Sequence, residues 1–215
     1  LQPQLLPMLA QLYERQRRWA DAARAYERAV ERMPRNLELR TRLAAVLLSA
    51  GGDAQVGRAL DLLQQIRRES PADRRVLYLL AQAQREAGKL DDAEATARQL
   101  LAVAPGWPTG AYVLGTVLGQ KQQYRGVVET LEPIVGASAS APASDAGGDL
   151  LPALLQLGFA YLELGDADRA RATFERAQKM SPGNPTVELY LIEAQLAARR
   201  YAEAVALALA GSVTR

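Results

Sequence analysis

The sequence predicts an all-α protein, a right-handed α-solenoid of about six stacked helix-turn-helix repeats. The first observation is a period, because Pro71 and Pro105 lie 34 residues apart, and Pro34 precedes Pro71 by 37. The second is composition: 49% of the residues are hydrophobic but only 6% are aromatic, which suits closely packed Ala/Leu helix pairs. The third is a pattern within the period, which at 151–182 reads Leu154-x2-Leu157-Gly158-x2-Tyr161, then Ala170-x3-Phe174, then Pro182.

The first three repeats span about residues 3–36, 37–73 and 74–107. Apolar residues spaced three and four apart predict the buried face of the second helix in each repeat. These are Ala22, Tyr26 and Ala29, then Ala59, Leu63 and Ile66, then Ala93 and Ala97. The second repeat carries three extra residues. We expect them in the turn that starts at Gly51-Gly52 and runs to Gln55, because loop closure entropy grows slowly with length.

The fourth repeat spans about residues 108–135, and Pro133 is expected to kink or shorten its second helix. Residues 136–149 are small and polar without periodicity, which predicts a flexible insertion loop. Residues 150–215 hold the fifth and sixth repeats. The predicted organisation is therefore four repeats over 1–135, a loop over 136–149 and two repeats over 150–215, all in one continuous solenoid.

These repeats resemble the tetratricopeptide repeat (TPR) family, in its bacterial type. The resemblance rests on the offsets quoted above, which recur in the first repeat as Leu6, Ala10, Tyr13, Tyr26 and Pro34. Three repeats depart from the family pattern by having Leu where a larger residue, often Trp, is usual. The resemblance implies a scaffold that binds other proteins, without saying which proteins.

The composition argues against several other functions. The chain has no Cys and no His, so thiolate nucleophiles, Cys-ligated zinc and a Ser-His-Asp triad are excluded. Acidic pairs such as Asp91-Asp92 are explained by the start of a helix, where carboxylates are favourable. We therefore expect no enzyme activity, no cofactor and no metal. The net charge of +2 gives no reason to expect nucleic acid as a partner.

The resemblance places the partner-binding surface on the concave face, at set positions of each first helix. Aromatic and aliphatic residues at these positions suggest a groove for a helix or an apolar segment of another protein. The alternative is that the aromatic residues pack on the next repeat. The candidate groove residues are Arg75, Tyr78, Leu79, Tyr112, Val113, Leu155, Phe159, Leu162, Leu189 and Tyr190.

A different class of function is an assembly or regulatory arm of a larger protein, such as an envelope polysaccharide exporter, a pilus assembly protein or a TPR-linked enzyme. The chain begins at Leu1, inside a repeat, and we interpret it as a piece of a longer protein. No apolar run of 18 or more residues is present, so no direct membrane insertion is expected. The sequence does not indicate a compartment.

Overall fold

Helices make up the regular structure of the described chain. The structure is a computed structural model that describes residues 5–105, 107–137 and 150–213, and for 137 and 210–213 it describes the backbone only. The helices are α1 Leu5–Arg15, α2 Trp19–Arg32, α3 Leu37–Ala50, α4 Asp53–Glu69, α5 Arg74–Glu86, α6 Leu90–Val103, α7 Pro108–Gln120, α8 Tyr124–Ala137, α9 Leu150–Glu163, α10 Ala167–Met180, α11 Pro185–Ala197 and α12 Tyr201–Val213. The all-α prediction is confirmed. None of these described helices is long and apolar enough to cross a membrane.

The helices pair as hairpins, with an odd-numbered A helix followed by an even-numbered B helix. The chain divides into two compact units, the N-terminal unit over 1–105 and the C-terminal unit over 106–215. Within each unit every helix packs on the next one. Neighbouring A helices also touch, α3 with α5 in the N-terminal unit, and α7 with α9 and α9 with α11 in the C-terminal unit. Each unit is thus a short stack of hairpins, which is the solenoid arrangement that the period predicts.

A left-handed residue ends most of the A helices. Gly88 and Gly165 occupy this position with φ of 72° and 78°, but Arg17, Gln122 and Arg199 occupy it in three other hairpins. At the end of α7, the N–H of Gln123 donates to the carbonyl of Leu118 and the N–H of Gln122 to that of Gly119, both at 2.9 Å. These two bonds form a Schellman cap, which satisfies the last carbonyls of the helix.

The extra residues of the second hairpin lengthen a helix, so the prediction of a long turn over 51–55 was wrong. Only Gly51 and Gly52 separate α3 from α4, and α4 has 17 residues where α2 and α6 have 14. Three residues are nearly one helical turn, so the apolar face of α4 returns close to its original direction. Asp53 is also favourable in the first turn of a helix. In the helix, the added backbone groups are hydrogen-bonded rather than left in a loop.

Helix α8 continues past Pro133 to Ala137 and keeps 14 residues, so Pro133 does not shorten it. Helices α8 and α9 pack directly on each other, and the period therefore resumes after the predicted insertion. Residues 138–149 of that insertion lie outside the described residues. The prediction of one continuous solenoid from residue 1 to 215 stays a prediction.

Candidate partner-binding groove

Three aromatic rings form a chain across the C-terminal unit. Phe159 on α9 lies between Tyr124 on α8 and Tyr190 on α11, with ring centroids 6.1 and 6.2 Å away. Both distances fall in the range of favourable aromatic pairs. Phe159 nevertheless stays 38% exposed. The rings therefore join neighbouring hairpins and still offer apolar surface to a ligand.

An apolar cavity of about 360 Å³ adjoins these rings. Its size is within the usual range for a ligand pocket. None of its described lining residues is charged, so an ionic ligand would lose water there without gaining a partner. The lining residues are Tyr112, Leu151, Pro152, Leu155, Gln156, Phe159, Thr186 and Tyr190.

The floor of the groove depends on a glycine. Gly158 sits opposite Phe174, and a Cβ atom at position 158 would lie 2.5 Å from the Cε1 atom of that ring. Because position 158 has no side chain, the Phe174 ring is fully buried against α9. Tyr190 then stacks on Phe174 with a centroid distance of 5.4 Å and an interplanar angle of 14°. Gly158 thus sets the position of Tyr190 through Phe174.

Tyr161 anchors α9 to both of its neighbours. Its hydroxyl donates a hydrogen bond of 2.7 Å to Glu132 on α8, and the guanidinium of Arg169 on α10 lies 4.7 Å from its ring centroid. Burial, followed by the bond to Glu132, raises the pKa of Tyr161 to about 12, so the phenol stays protonated at neutral pH. This anchoring holds the exposed face of α9 in place.

The structure brings together only part of the predicted set in the C-terminal unit. Tyr112, Leu155, Phe159 and Tyr190 line one cavity. Leu162 is half-buried and Leu189 is 55% exposed, and neither of them lines the cavity. Val113 is only 4% exposed, which corrects the expectation that its side chain faces the groove. It occupies the same repeat position as Tyr190, but it is too short to reach the surface.

The predicted residues of the N-terminal unit form no comparable groove. Leu79 is buried in the hydrophobic core and is 7% exposed, so its expected exposure was also wrong, for the same reason as Val113. Tyr78 is half-buried and accepts a hydrogen bond of 2.8 Å from Gln82. Arg75 pairs with Glu38 at 2.8 Å, which makes this surface ionic rather than apolar.

Five contributors to the groove lie outside the predicted set. Pro152, Gln156 and Thr186 occupy repeat positions that face the concave side in the family pattern, so their positions were a usable signal. Leu151, the first residue of the fifth repeat, is not one of these positions. Tyr124 begins a B helix, and no periodicity indicates that its ring reaches Phe159. Among the residues that the structure describes, no three acidic side chains come together as a metal site would require.

Comparison with known families supports the repeat assignment. A family model described as tetratricopeptide repeat matches residues 52–115 and 161–212, and a second model with that description matches residues 8–36. The first of these alone covers more than half of the chain.

One curated relative and two solved structures are similar to the chain. Cellulose synthase operon protein C of Pseudomonas fluorescens (strain SBW25) is 31% identical over 159 residues, which are 70% of this chain and 12% of that protein. A tetratricopeptide repeat protein from Parabacteroides merdae has a TM-score of 0.74 at 16% identity and covers 95% of this chain and 77% of its own. MamA from Desulfovibrio magneticus RS-1 has a TM-score of 0.69 at 19% identity and covers 82% and 93%. The chain spans only about an eighth of the length of its curated relative.

Proposed function

The chain belongs to the tetratricopeptide repeat family of protein-interaction scaffolds, and we propose that it captures a helix or apolar segment of a partner protein in the groove of the C-terminal unit. The fold is generally that of a non-catalytic scaffold. The observation that carries the proposal is the uncharged cavity of about 360 Å³ beside the partly exposed Phe159 ring.

An apolar ligand suits this surface better than an acidic or basic one. Aromatic side chains make strong anchors because they bury a large area at low entropic cost. Leu189 is 55% exposed and follows the lining residue Thr186 by three residues on α11, so it extends the apolar surface beyond the cavity. An amphipathic helix could place one anchor residue in the cavity and its neighbours against Leu189 and Phe159.

A photo-crosslinking amino acid at position 159 tests the proposal. The chain carrying p-benzoylphenylalanine there is irradiated in lysate of its native host, and crosslinked peptides are sequenced. We expect one partner segment with an apolar helical pattern. The same substitution at Met180, which is 49% exposed on a B helix, is the matched control and should not crosslink that segment.

Two outcomes would contradict the groove assignment. One is a partner that crosslinks equally from positions 159 and 180. The other is a crosslinked segment that is mainly charged. A Phe159→Glu, Leu189→Glu variant should also lose the partner by about 100-fold in affinity, since each charge would desolvate against apolar surface. Circular dichroism should show an unchanged helical signal.

A second candidate function is an arm of a larger protein of envelope polysaccharide synthesis or export. The relative named cellulose synthase operon protein C favours it, because this chain aligns with a small part of a much longer protein. In this reading the groove binds another protein of that machinery.

Exchange of the matching segment distinguishes this candidate. The 159-residue region of the Pseudomonas protein is replaced by this chain, and cellulose output is measured by dye binding. Output near the wild-type level supports a shared role. Loss of output, with the chimaera present at normal abundance, argues that the repeats serve a different partner.

A further inference from the structure

A second cavity lies in the N-terminal unit and differs chemically from the aromatic groove. It has a volume of about 400 Å³ and is lined by polar side chains from three helices, with Pro71 at its rim. Helix α4 provides Gln64, Arg67 and Arg68, α5 provides Gln84, and α6 provides Gln99. Its location between these helices does not depend on the proposed function of the C-terminal unit.

Two arginines give the cavity its charge. Among the residues that the structure describes, neither Arg67 nor Arg68 is paired with a carboxylate. The neighbouring Glu69 is engaged by Arg40 at 2.7 Å, so it is directed to another cation. Arg67 donates a hydrogen bond of 2.6 Å to the side-chain carbonyl of Gln99, whose amide in turn donates to the Pro71 carbonyl at 3.3 Å. These bonds brace one side of a guanidinium whose other N–H groups can bind an anion.

The cavity also contains a buried acceptor. Gln84 is only 5% exposed, and its Oε1 atom accepts no hydrogen bond from any described residue. A buried acceptor without a donor destabilises the fold. The Oε1 atom is itself covered, so a ligand N–H group reaches it once the Gln84 side chain turns toward the cavity. Such a ligand satisfies the acceptor, which an anion without a donor does not do.

We propose that this cavity binds an acidic peptide segment, with a carboxylate on Arg67 and Arg68 and a backbone N–H donated to Gln84. A peptide supplies both groups a few ångströms apart, and the cavity volume is large enough for one acidic residue with its flanking peptide bonds. The guanidinium groups select the charge, and the Gln84 amide selects a ligand that also donates a hydrogen bond.

The C-terminal unit offers a natural comparison. Gln195 occupies the same repeat position on α11, is 7% exposed and likewise has an unpartnered Oε1 atom. The residues that match Arg67 and Arg68 on α10 are Gln178 and Lys179. The buried glutamine therefore occurs in both units, while the pair of arginines beside it occurs only in the first.

Nuclear magnetic resonance of the whole chain tests the site with defined probes. We use a capped tetraglutamate peptide, the matching tetraglutamine peptide and inorganic phosphate. Tetraglutamate should shift the resonances of Gln84, Gln99 and Arg67 with a Kd on the order of 1 mM. Tetraglutamine should leave them in place, and phosphate should bind more weakly than tetraglutamate.

Variants separate binding from folding. Arg67→Gln with Arg68→Gln should weaken tetraglutamate binding by about tenfold. Gln84→Met should weaken it by about threefold while raising the unfolding midpoint, because the unpartnered amide is gone. Gln195→Met should raise the midpoint without changing binding. If the double variant unfolds, Arg67→Lys with Arg68→Lys keeps the charge and should still weaken binding through loss of the forked geometry.

The proposal is overturned if tetraglutamate leaves these resonances unchanged up to about 10 mM. It is also overturned if the arginine variants bind as the wild type does. Equal affinity for phosphate and tetraglutamate, unaffected by Gln84→Met, would mean a general anion patch rather than a peptide site.

Discussion

The two units use the same hairpin but join neighbouring A helices by different chemistry. In the N-terminal unit Glu38 on α3 pairs with Arg75 on α5 at 2.8 Å and with Arg42 at 2.6 Å. Burial alone would raise the pKa of Glu38, but hydrogen bonds from the two arginines outweigh it and lower the pKa. In the C-terminal unit the corresponding junction, between α9 and α11, is made by Phe159 and Tyr190.

A small residue beneath the groove helps explain the difference. The eighth position of the first three repeats is Ala10, Ala44 and Ala81, whereas the next two repeats have Gly115 and Gly158 there. The missing methyl group at Gly158 admits Phe174, which supports Tyr190. In the second repeat, which precedes the α3–α5 junction, the residues at the matching positions are Ala44 and Leu60, both buried in one cluster with Leu79 of α5. The size of the buried residues beneath an A helix therefore decides whether an aromatic side chain on its surface is supported from below.

The largest expected effect is that of Gly158→Ala, which fills the space that the Phe174 ring occupies in the C-terminal unit. The new Cβ would overlap the Phe174 ring, so we expect a loss of about 3 kcal/mol in the free energy of unfolding. Urea titration, followed by the fluorescence of Trp107 in a Trp19→Phe background, measures it. Gly57→Ala on α4, followed by Trp19 in a Trp107→Phe background, is the control, because a Cβ there meets nothing within 4 Å and should instead add about 1 kcal/mol. A Gly158→Ala chain as stable as the wild type would refute this account of the groove.

The second test breaks an ion pair of the N-terminal unit. Arg40 is 8% exposed and pairs with Glu69 at 2.7 Å. Glu69→Ala leaves this guanidinium without its partner, and we expect a loss of about 2 kcal/mol, because a buried charge is costly unless paired. The measurement is urea unfolding followed by Trp19 in a Trp107→Phe background.

Asp61→Ala on the same helix is the matched control for Glu69→Ala. Its side chain is exposed, so the change should be within about 0.5 kcal/mol. Equal effects of the two substitutions would mean that Arg40 gains little from Glu69.

The third test concerns a cap that distinguishes α10 from α2 and α6. Asp166 accepts a hydrogen bond of 3.1 Å from the backbone N–H of Arg169, whereas Arg18 and Lys89 at the matching positions make no side-chain cap. Asp166→Ala should cost about 1 kcal/mol, and Asp166→Asn less, because Asn keeps the acceptor. Thermal unfolding of both variants beside the wild type measures these costs.

The same residue gives a pH dependence with a definite sign. The backbone hydrogen bond from Arg169, followed by the side-chain hydrogen bond from the same residue, lowers the pKa of Asp166 below 3.8. The carboxylate therefore stabilises the fold above its unfolded pKa, and this stabilisation is lost as the pH falls through the lower folded value. The difference in the free energy of unfolding between the wild type and Asp166→Asn should shrink as the pH falls into the acid range. If this difference instead grows in acid, the Asp166 carboxylate does not stabilise the fold in the way assigned here.

The smallest expected effect sharpens the comparison between turns. Gln122 holds a left-handed conformation with φ of 57°, where the hairpin of α5 and α6 has Gly88. Gln122→Gly should stabilise the chain by about 0.5 kcal/mol, since relief of the strain exceeds the added entropy of the unfolded state. Gly88→Ala should cost about 1 kcal/mol by the same reasoning. Urea titrations of both variants beside the wild type measure the two changes in the free energy of unfolding. If both variants are stabilised, or both are destabilised, the explanation by left-handed strain is wrong.

Much of the fold could be predicted from the sequence, because the 34-residue period fixes where each helix begins and which face it buries. The three extra residues were misplaced, since the period gives their number but not whether a helix or a turn takes them up. Groove residues were only partly predictable. The repeat position selected Tyr112, Phe159 and Tyr190, but side-chain length decided that Val113 is buried. The cavity around Gln84 had no sequence signal, because its members come from three helices and the arginine pair does not recur beside the matching Gln195.

The left-handed turns also govern how a protease would divide the chain. Three of them place an exposed arginine or lysine between two helices, at Arg17, Lys89 and Arg199. The turn between α9 and α10 is Leu164-Gly165-Asp166 and offers trypsin no such residue. Brief digestion should therefore separate the A and B helices of the first, third and last hairpins before it separates those of the fifth. The hairpin that carries Phe159 and Phe174 would then persist as one fragment.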